Sequence, residues 1–240
     1  MATSGTCTPW LSCLQASGPE NIMDEQPVVL ITGGSGGLAG ALHEEFSASG
    51  WHVIAPGRET MDVTSADNVA GFFSGLNRLD LLINNAGIRR DALLAQQPET
   101  DRDAVLDVCL RGAFLCSREA ARLMAGQKEG HILNVGSYSA LTGPAGQSAY
   151  AAAKAGLIGF TKSLAAELGP SGVRVNCVLP GWLETNFTAK LPEGVIRRAL
   201  EAHVLGKFST PRDAARFICF LHGMTGVSGQ VFQLDSRISR

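Results

Sequence analysis

Short apolar runs alternate along this chain with stretches of helical spacing. Residues 28–32 form an apolar, β-branched run that ends in glycines, which predicts a buried strand. Residues 38–49 follow with helical periodicity and stop at Gly50. The alternation continues with a strand at 51–55, a helix at 67–76 and a strand at 79–84. A long helical pattern over 101–124 is closed by Gly130 before the strand 131–135. An alanine-rich helix at 148–168 precedes a strand at 174–179. Pro211 opens a helix at 210–222, and 230–234 is a final strand. Strands that alternate with helices make parallel βαβ units, whose sheet is covered on both faces. The expected fold is therefore α/β, a Rossmann-like doubly wound parallel sheet.

One interval breaks the rhythm. Only three residues separate Arg58 from Asp62, and three extended residues span at most ~11 Å. A parallel neighbour strand needs a crossover of about a dozen residues or more. No full strand can follow the 51–55 strand there, and we expect a sheet trimmed at that edge, with at most a stub near Met61–Val63.

Length and composition narrow the reading. The 240 residues, 45% of them hydrophobic, suit one α/β domain over residues 27–240. Residues 1–26 lack strand or helix periodicity and contain no Lys or Arg, so they fit neither a signal peptide nor an Arg-rich transit helix. We expect a disordered N-terminal tail, or a start placed too early, since Met23 lies just before the first strand. A formal net charge of −2 with interleaved signs argues against a nucleic-acid surface. No apolar run is long enough for a membrane helix. The six cysteines show no CxxC pair and no metal-ligand spacing with histidine, which predicts reduced thiols, no metal and a cytoplasmic setting.

The chemistry gathers at two places. Gly33, Gly34, Ser35, Gly36, Gly37 and Leu38 lie between the first strand and first helix, where glycines allow close backbone approach. The helix N-terminus there offers free N–H groups to a pyrophosphate. The second strand ends in Ala55-Pro56-Gly57-Arg58, with no acid to take a ribose 2′-OH and a base to take a 2′-phosphate. This favours NADP(H) over NAD(H), with Glu59 the residue that could reverse the preference. Farther along, Tyr150 and Lys154 stand one helical turn apart and share a face. Free phenol is a poor acid–base near neutrality, and a lysine ammonium one turn away would stabilise the phenolate. Ser137 ends the preceding strand and could hydrogen-bond a substrate carbonyl.

These segments appear together in a recognisable order: the glycine run, Asn84-Asn85-Ala86-Gly87, Gly136-Ser137, Tyr150 and Lys154, then Pro180-Gly181. In this the chain resembles the short-chain dehydrogenase/reductase family from about Val28 to Leu234. It is similar in particular to bacterial 3-oxoacyl-(acyl-carrier-protein) reductases, as in the segments 87–94, 156–164 and 228–231. The resemblance implies Ser137, Tyr150 and Lys154 as catalytic set, with Tyr150 giving the proton and Lys154 also holding the nicotinamide ribose. It implies that Gly33, Ser35, Gly37, Leu38, Arg58, Asp62, Val63, Asn85, Ala86 and Gly87 line the adenosine and phosphates. Pro180, Gly181, Leu183 and Thr185 would hold the nicotinamide carboxamide, and 182–202 would be an irregular lid. A homo-tetramer or dimer is implied, packed through the helices 101–124 and 148–168.

The resemblance has gaps. Ala39 replaces the third loop glycine, and Cys109 takes the position of a helix asparagine that helps hold a water chain to the lysine. Lys128 falls near a carrier-binding basic position, but Ser171 replaces another. Arg89 and Arg90 at the cleft rim read as solvated charges. The apolar lid residues Trp182, Leu183, Phe187 and Leu191 favour an acyl or other apolar carbonyl substrate, as a 3-oxoacyl thioester on a carrier protein would be. The alternatives are an NAD(P)-linked dehydrogenase of a sugar or polyol, and a non-catalytic cofactor-binding partner or redox sensor.

Overall fold

A computed structural model describes residues 26–185 and 193–238. The expected N-terminal tail, and Phe187 and Leu191 of the lid, lie outside these residues. The described chain forms one six-stranded, all-parallel sheet in the order β2-β1-β3-β4-β5-β6. The strands are β1 (Val28–Ile31), β2 (His52–Ile54), β3 (Leu81–Asn84), β4 (Gly130–Val135), β5 (Val173–Leu179) and β6 (Val231–Gln233). Eight helices accompany them: α1 (Gly37–Ala48), α2 (Ala66–Phe73), α3 (Glu99–Leu106), α4 (Gly112–Gln127), α5 (Ser139–Thr142), α6 (Ser148–Leu168), α7 (Glu193–Glu201) and α8 (Pro211–His222).

Alternation along the strands builds two cores. Val29, Ile31, Leu81, Ile83 and Leu133 face α1 and α8, meeting Leu42, Phe46, Ala215 and Ile218. Leu30, Leu82, Ile132 and Val175 face the other way, toward Val69, Leu115, Ala120 and Leu168 on α2, α4 and α6. β3 and β4 are buried at every position, as strands between two helical layers must be.

The trimmed edge is present. β2 has β1 as its one neighbour in the sheet. From Gly57 the chain makes a single tight turn, with Thr60 N–H and Met61 N–H both donating to Gly57 O. Met61 and Val63 then drop into the second core beside Leu30 and Leu82. The stub allowed for near Met61–Val63 does not form a strand.

Three helical details depart from the periodicity. The pattern over 101–124 begins at Glu99 and is interrupted by a π-helical turn, Asp107–Arg111, between α3 and α4. α5 is only four residues long, too short for a period to show. The lid stretch expected to be irregular contains α7, whose Val195, Ile196 and Leu200 keep helical spacing despite Gly194.

At the opposite end of the sheet from the glycine loop, two histidines sit in the core. His131, the second residue of β4, is fully buried, and Asn176 Nδ2 donates to its Nε2 at 3.1 Å. His222 lies beside it, ring centroids 5.6 Å apart. Burial foremost, then the Arg174 charge, pushes both below the ordinary imidazole range, His222 to about 4. Both rings are neutral in the fold, while the unfolded chain takes up protons near pH 6.5. Stability is thus complete above that pH and lost as pH falls toward 4. His222 should contribute about 2 kcal/mol of loss by pH 5. Thermal midpoints of wild type and His222→Gln at pH 7.5 and 5 check this; equal drops in both proteins would contradict it.

Candidate active site

The glycine loop is shaped by what it touches. Gly33 has φ +69°, a left-handed conformation suited to glycine, and a Cβ there would fall 2.9 Å from Ala86 Cα. Gly34 lies against the end of β2, its N–H donating to Pro56 O at 2.9 Å. Buried Thr32 joins the loop to the next segment: its Oγ1 accepts from the N–H of Asn85 and of Ala86, and Asn85 Nδ2 donates back to Thr32 O. The loop and the Asn85–Ala86–Gly87 turn are therefore one rigid unit at the C-terminal ends of β1 and β3, the end where parallel sheets bind nucleotides.

α1 begins without a cap. Its Ncap is Gly36, which has no side chain to cap the helix, and no acid lies in the first turn. α2 and α8 are capped by Ser65 and by a Thr210–Asp213 box. An uncapped helix start facing an open loop leaves N–H donors for a phosphate. Thr185 packs over this start, close to Gly37. Leu183 is buried and bridges to Ser209.

Arg58 reaches out from the end of β2. Its side chain is 79% exposed, with Nε 3.4 Å from Asp62 Oδ2. Asp62 is held below the usual carboxylate range chiefly by hydrogen bonds from the Thr64 hydroxyl and N–H. A pair this exposed is worth little, so Arg58 can turn to a better anion. Ser35 Oγ lies beside Gly57, next to Arg58. Leu38 is buried against the sheet, and Val63 packs its side chain against Gly112. With their side chains so placed, these two offer a ligand mainly backbone atoms.

Tyr150 and Lys154 project from α6 as their spacing requires, with Lys154 Nζ 5.8 Å from the Tyr150 ring centroid. The ammonium is almost wholly buried and donates to Val135 O at 2.7 Å. It also lies close to Gly87. Ser137, just beyond β4, accepts the Ser139 N–H at 3.2 Å at the start of α5. Cys109 sits within the π turn, and its sulfur and Lys154 Nζ both border the same face of Gly87. Its sulfur is 3.4 Å from both N and O of Ile88, so it can accept one bond and donate another. Cysteine thus still ties the π turn to the 86–88 segment.

One supporting network was not anticipated from the sequence. Asn84 Nδ2 donates to Ser117 Oγ and Asn134 Oδ1, and Asn134 Nδ2 donates to Thr161 Oγ1, each at 2.9 Å. All four residues are buried, so these bonds join β3, β4, α4 and α6 beneath the cleft. The signal was present in two asparagines inside apolar strands. Among the described residues no group of three or more His, Cys, Asp or Glu could hold a metal, and no helix is long and apolar enough to cross a membrane. Cys109, Cys116, Cys177 and Cys219 are free thiols.

A family model described as enoyl-(acyl carrier protein) reductase matches residues 36–236. The chain is 38% identical to a 3-oxoacyl-(acyl-carrier-protein) reductase of Thermotoga maritima, covering 88% of this chain and 97% of that protein. It is 41% identical to the protein of the same name from Aquifex aeolicus, over 84% of this chain and 82% of the relative. A Synechocystis 3-oxoacyl-(acyl-carrier-protein) reductase is 36% identical over 87% and 95%.

Proposed function

The chain belongs to the short-chain dehydrogenase/reductase family, and from that membership and its cleft we propose that it is an NADPH-dependent reductase of 3-oxoacyl thioesters. The single observation that carries the reaction is the pairing of Tyr150 with a buried Lys154 that bonds to Val135 O, two residues before Ser137. The relatives' names supply the substrate class.

The hydride would come from a nicotinamide when one is bound. The protein's part is to hold and protonate the carbonyl. Ser137 Oγ donates to the carbonyl oxygen and orients it, and Tyr150 delivers the proton as that oxygen becomes an alkoxide. The Lys154 charge favours the phenolate left behind, and its Nζ holds the nicotinamide ribose. Pro180, Gly181, Leu183 and Thr185 take the carboxamide end. Gly33, Ser35, Gly37 and Leu38 take the pyrophosphate at the uncapped start of α1, and Asn85, Ala86 and Gly87 lie along the adenosine. Asp62 and Val63 meet the adenine through the turn that replaces a third strand, leaving one flank of the base open to water.

NADPH preference rests on Arg58. A 2′-phosphate carries more charge than the Asp62 carboxylate that holds the guanidinium now, and charge-assisted bonds of this kind contribute about 1.5–3 kcal/mol. Arg58→Ala should raise the KM for NADPH by about ten- to a hundredfold and leave NADH nearly unaffected. The assay is acetoacetyl thioester reduction with both nucleotides. An unchanged NADPH/NADH ratio would overturn the role of Arg58, and no turnover of any 3-oxoacyl thioester would overturn the substrate class.

We also propose a homo-tetramer with two-fold axes. Phe114 on α4 is 49% exposed and touches Phe160 on α6, an apolar face that another copy would cover. Light scattering should give four times the 25.2 kDa chain mass, and a monomer would refute the proposal.

A further inference from the structure

Beyond β6, the bonding of Asp235 and Arg237 has no part in the reading above. Asp235 has a fully buried side chain. Burial works against its charge, yet hydrogen bonds from Arg237 and Gln233 hold its carboxyl below the usual range. Arg237 Nε donates to Asp235 Oδ2 at 2.7 Å, and a second guanidinium nitrogen reaches the same oxygen. Gln233 Nε2 and the Arg237 N–H donate to Oδ1. The carboxylate is thus ionised and fully bonded, and Arg237 is held in one place.

That place is over the ring of Tyr138. The Arg237 guanidinium carbon lies 3.8 Å from the ring centroid, stacking distance for a planar cation on an aromatic face. Tyr138 follows Ser137 directly and starts α5, its carbonyl accepting the Leu141 N–H. On the other side, Asp235 lies against Gly181, which has φ +85°; a Cβ on Gly181 would fall 2.5 Å from Asp235 Cβ. The same segment holds the root of the lid helix. His203 bridges to Arg237, and Val204 N–H donates to Ser236 O. His203 Nε2 faces Asp235 Oδ2 at 3.6 Å, while its Nδ1 lies 2.6 Å from Ala199 O. A carbonyl only accepts, so Nδ1 carries a proton and the ring orientation is fixed.

We propose that Arg237, held by Asp235, is a positioning residue for the reduction: by clamping the Tyr138 ring it sets where Ser137 stands relative to the Gly181 loop and the end of α7. The proposal rests on the assignment of Ser137, Tyr150 and Lys154 above. A carbonyl held slightly out of line loses turnover before it loses affinity, so the effect belongs in kcat. Lysine at 237 keeps a cation for Asp235 but has no flat face for the ring. Tyr138→Leu removes the ring and leaves the Asp235–Arg237 pair intact, whereas Tyr138→Phe keeps the stacking surface.

Steady-state kinetics of the full-length protein with NADPH and an acetoacetyl thioester, together with thermal midpoints, test this. Arg237→Lys and Tyr138→Leu should each lower kcat by about tenfold with KM within twofold, as loss of a transition-state alignment requires. Tyr138→Phe should match wild type, and Tyr138→Leu should melt within about 3 °C of it. Wild-type kcat in Tyr138→Leu would overturn the proposal. So would an equal loss in Tyr138→Phe, which would put the effect on the hydroxyl. A wild-type protein that turns over no thioester would instead refute the assignment on which the proposal rests.

Discussion

Replacing Tyr150 with phenylalanine is expected to lower turnover by about a thousandfold, in the middle of the range for loss of a positioned general acid. The substitution removes one oxygen and keeps the ring that lies 5.8 Å from Lys154 Nζ. Lys154 retains its bond to Val135 O in the variant, so the ribose contact and NADPH affinity should persist. Quenching of protein fluorescence by NADPH, measured beside the reduction assay, separates the two. A variant that binds and still turns over near the wild-type rate would show that the proton comes from elsewhere. A variant that neither binds nor melts cooperatively would instead show that the hydroxyl is structural.

The second large effect is expected at Gly34. Its φ needs no special freedom, but a methyl there would fall 2.0 Å from Ala55 O and 2.6 Å from Ala55 C. Both are backbone atoms at the end of β2, so the loop or the strand must move. Gly34→Ala should cost about 2–3 kcal/mol, the upper range for overpacking, and weaken NADPH binding more than tenfold. Gly40, exposed on α1 with nothing within 4 Å of its missing Cβ, is the control. Gly40→Ala should stabilise by about 0.5–1 kcal/mol through helix propensity. Thermal melts with and without NADPH check both; equal melting of Gly34→Ala and wild type would show that the loop is looser than its contacts imply.

What could be read beforehand was whatever leaves a local trace. β1, β3, β4 and β5 are apolar runs because both of their faces are covered, and α6 is bounded where its sequence says. The missing strand after β2 could be deduced because chain length is a hard limit: three residues cannot cross and return. The π turn at Asp107–Arg111 could not, since one widened turn leaves the apolar spacing almost unchanged. Pairings across the fold were equally silent. Asn134 meets Thr161 and Arg237 meets Tyr138 only because strands and helices distant in sequence are brought together. Arg58 shows the middle case: its place at the strand end was legible, its exposed partnership with Asp62 was not.

The edge strand β2 is three residues long, with His52 exposed and Val53 and Ile54 half covered. Among the described residues its outer side has no neighbour in the sheet, so it is an edge at which another extended chain could pair. Shortness is the safeguard: three residues offer too brief a template for another molecule to pair along, and the turn at Gly57 bends the chain away before it can lengthen. Self-association through this edge is thus limited by the same economy of chain that leaves out a strand beyond β2. A variant that extended β2 by replacing Pro56 and the charged Arg58 and Glu59 with strand-forming residues would present a longer unpaired edge to solvent, and its hazard would be edge-to-edge aggregation rather than loss of fold.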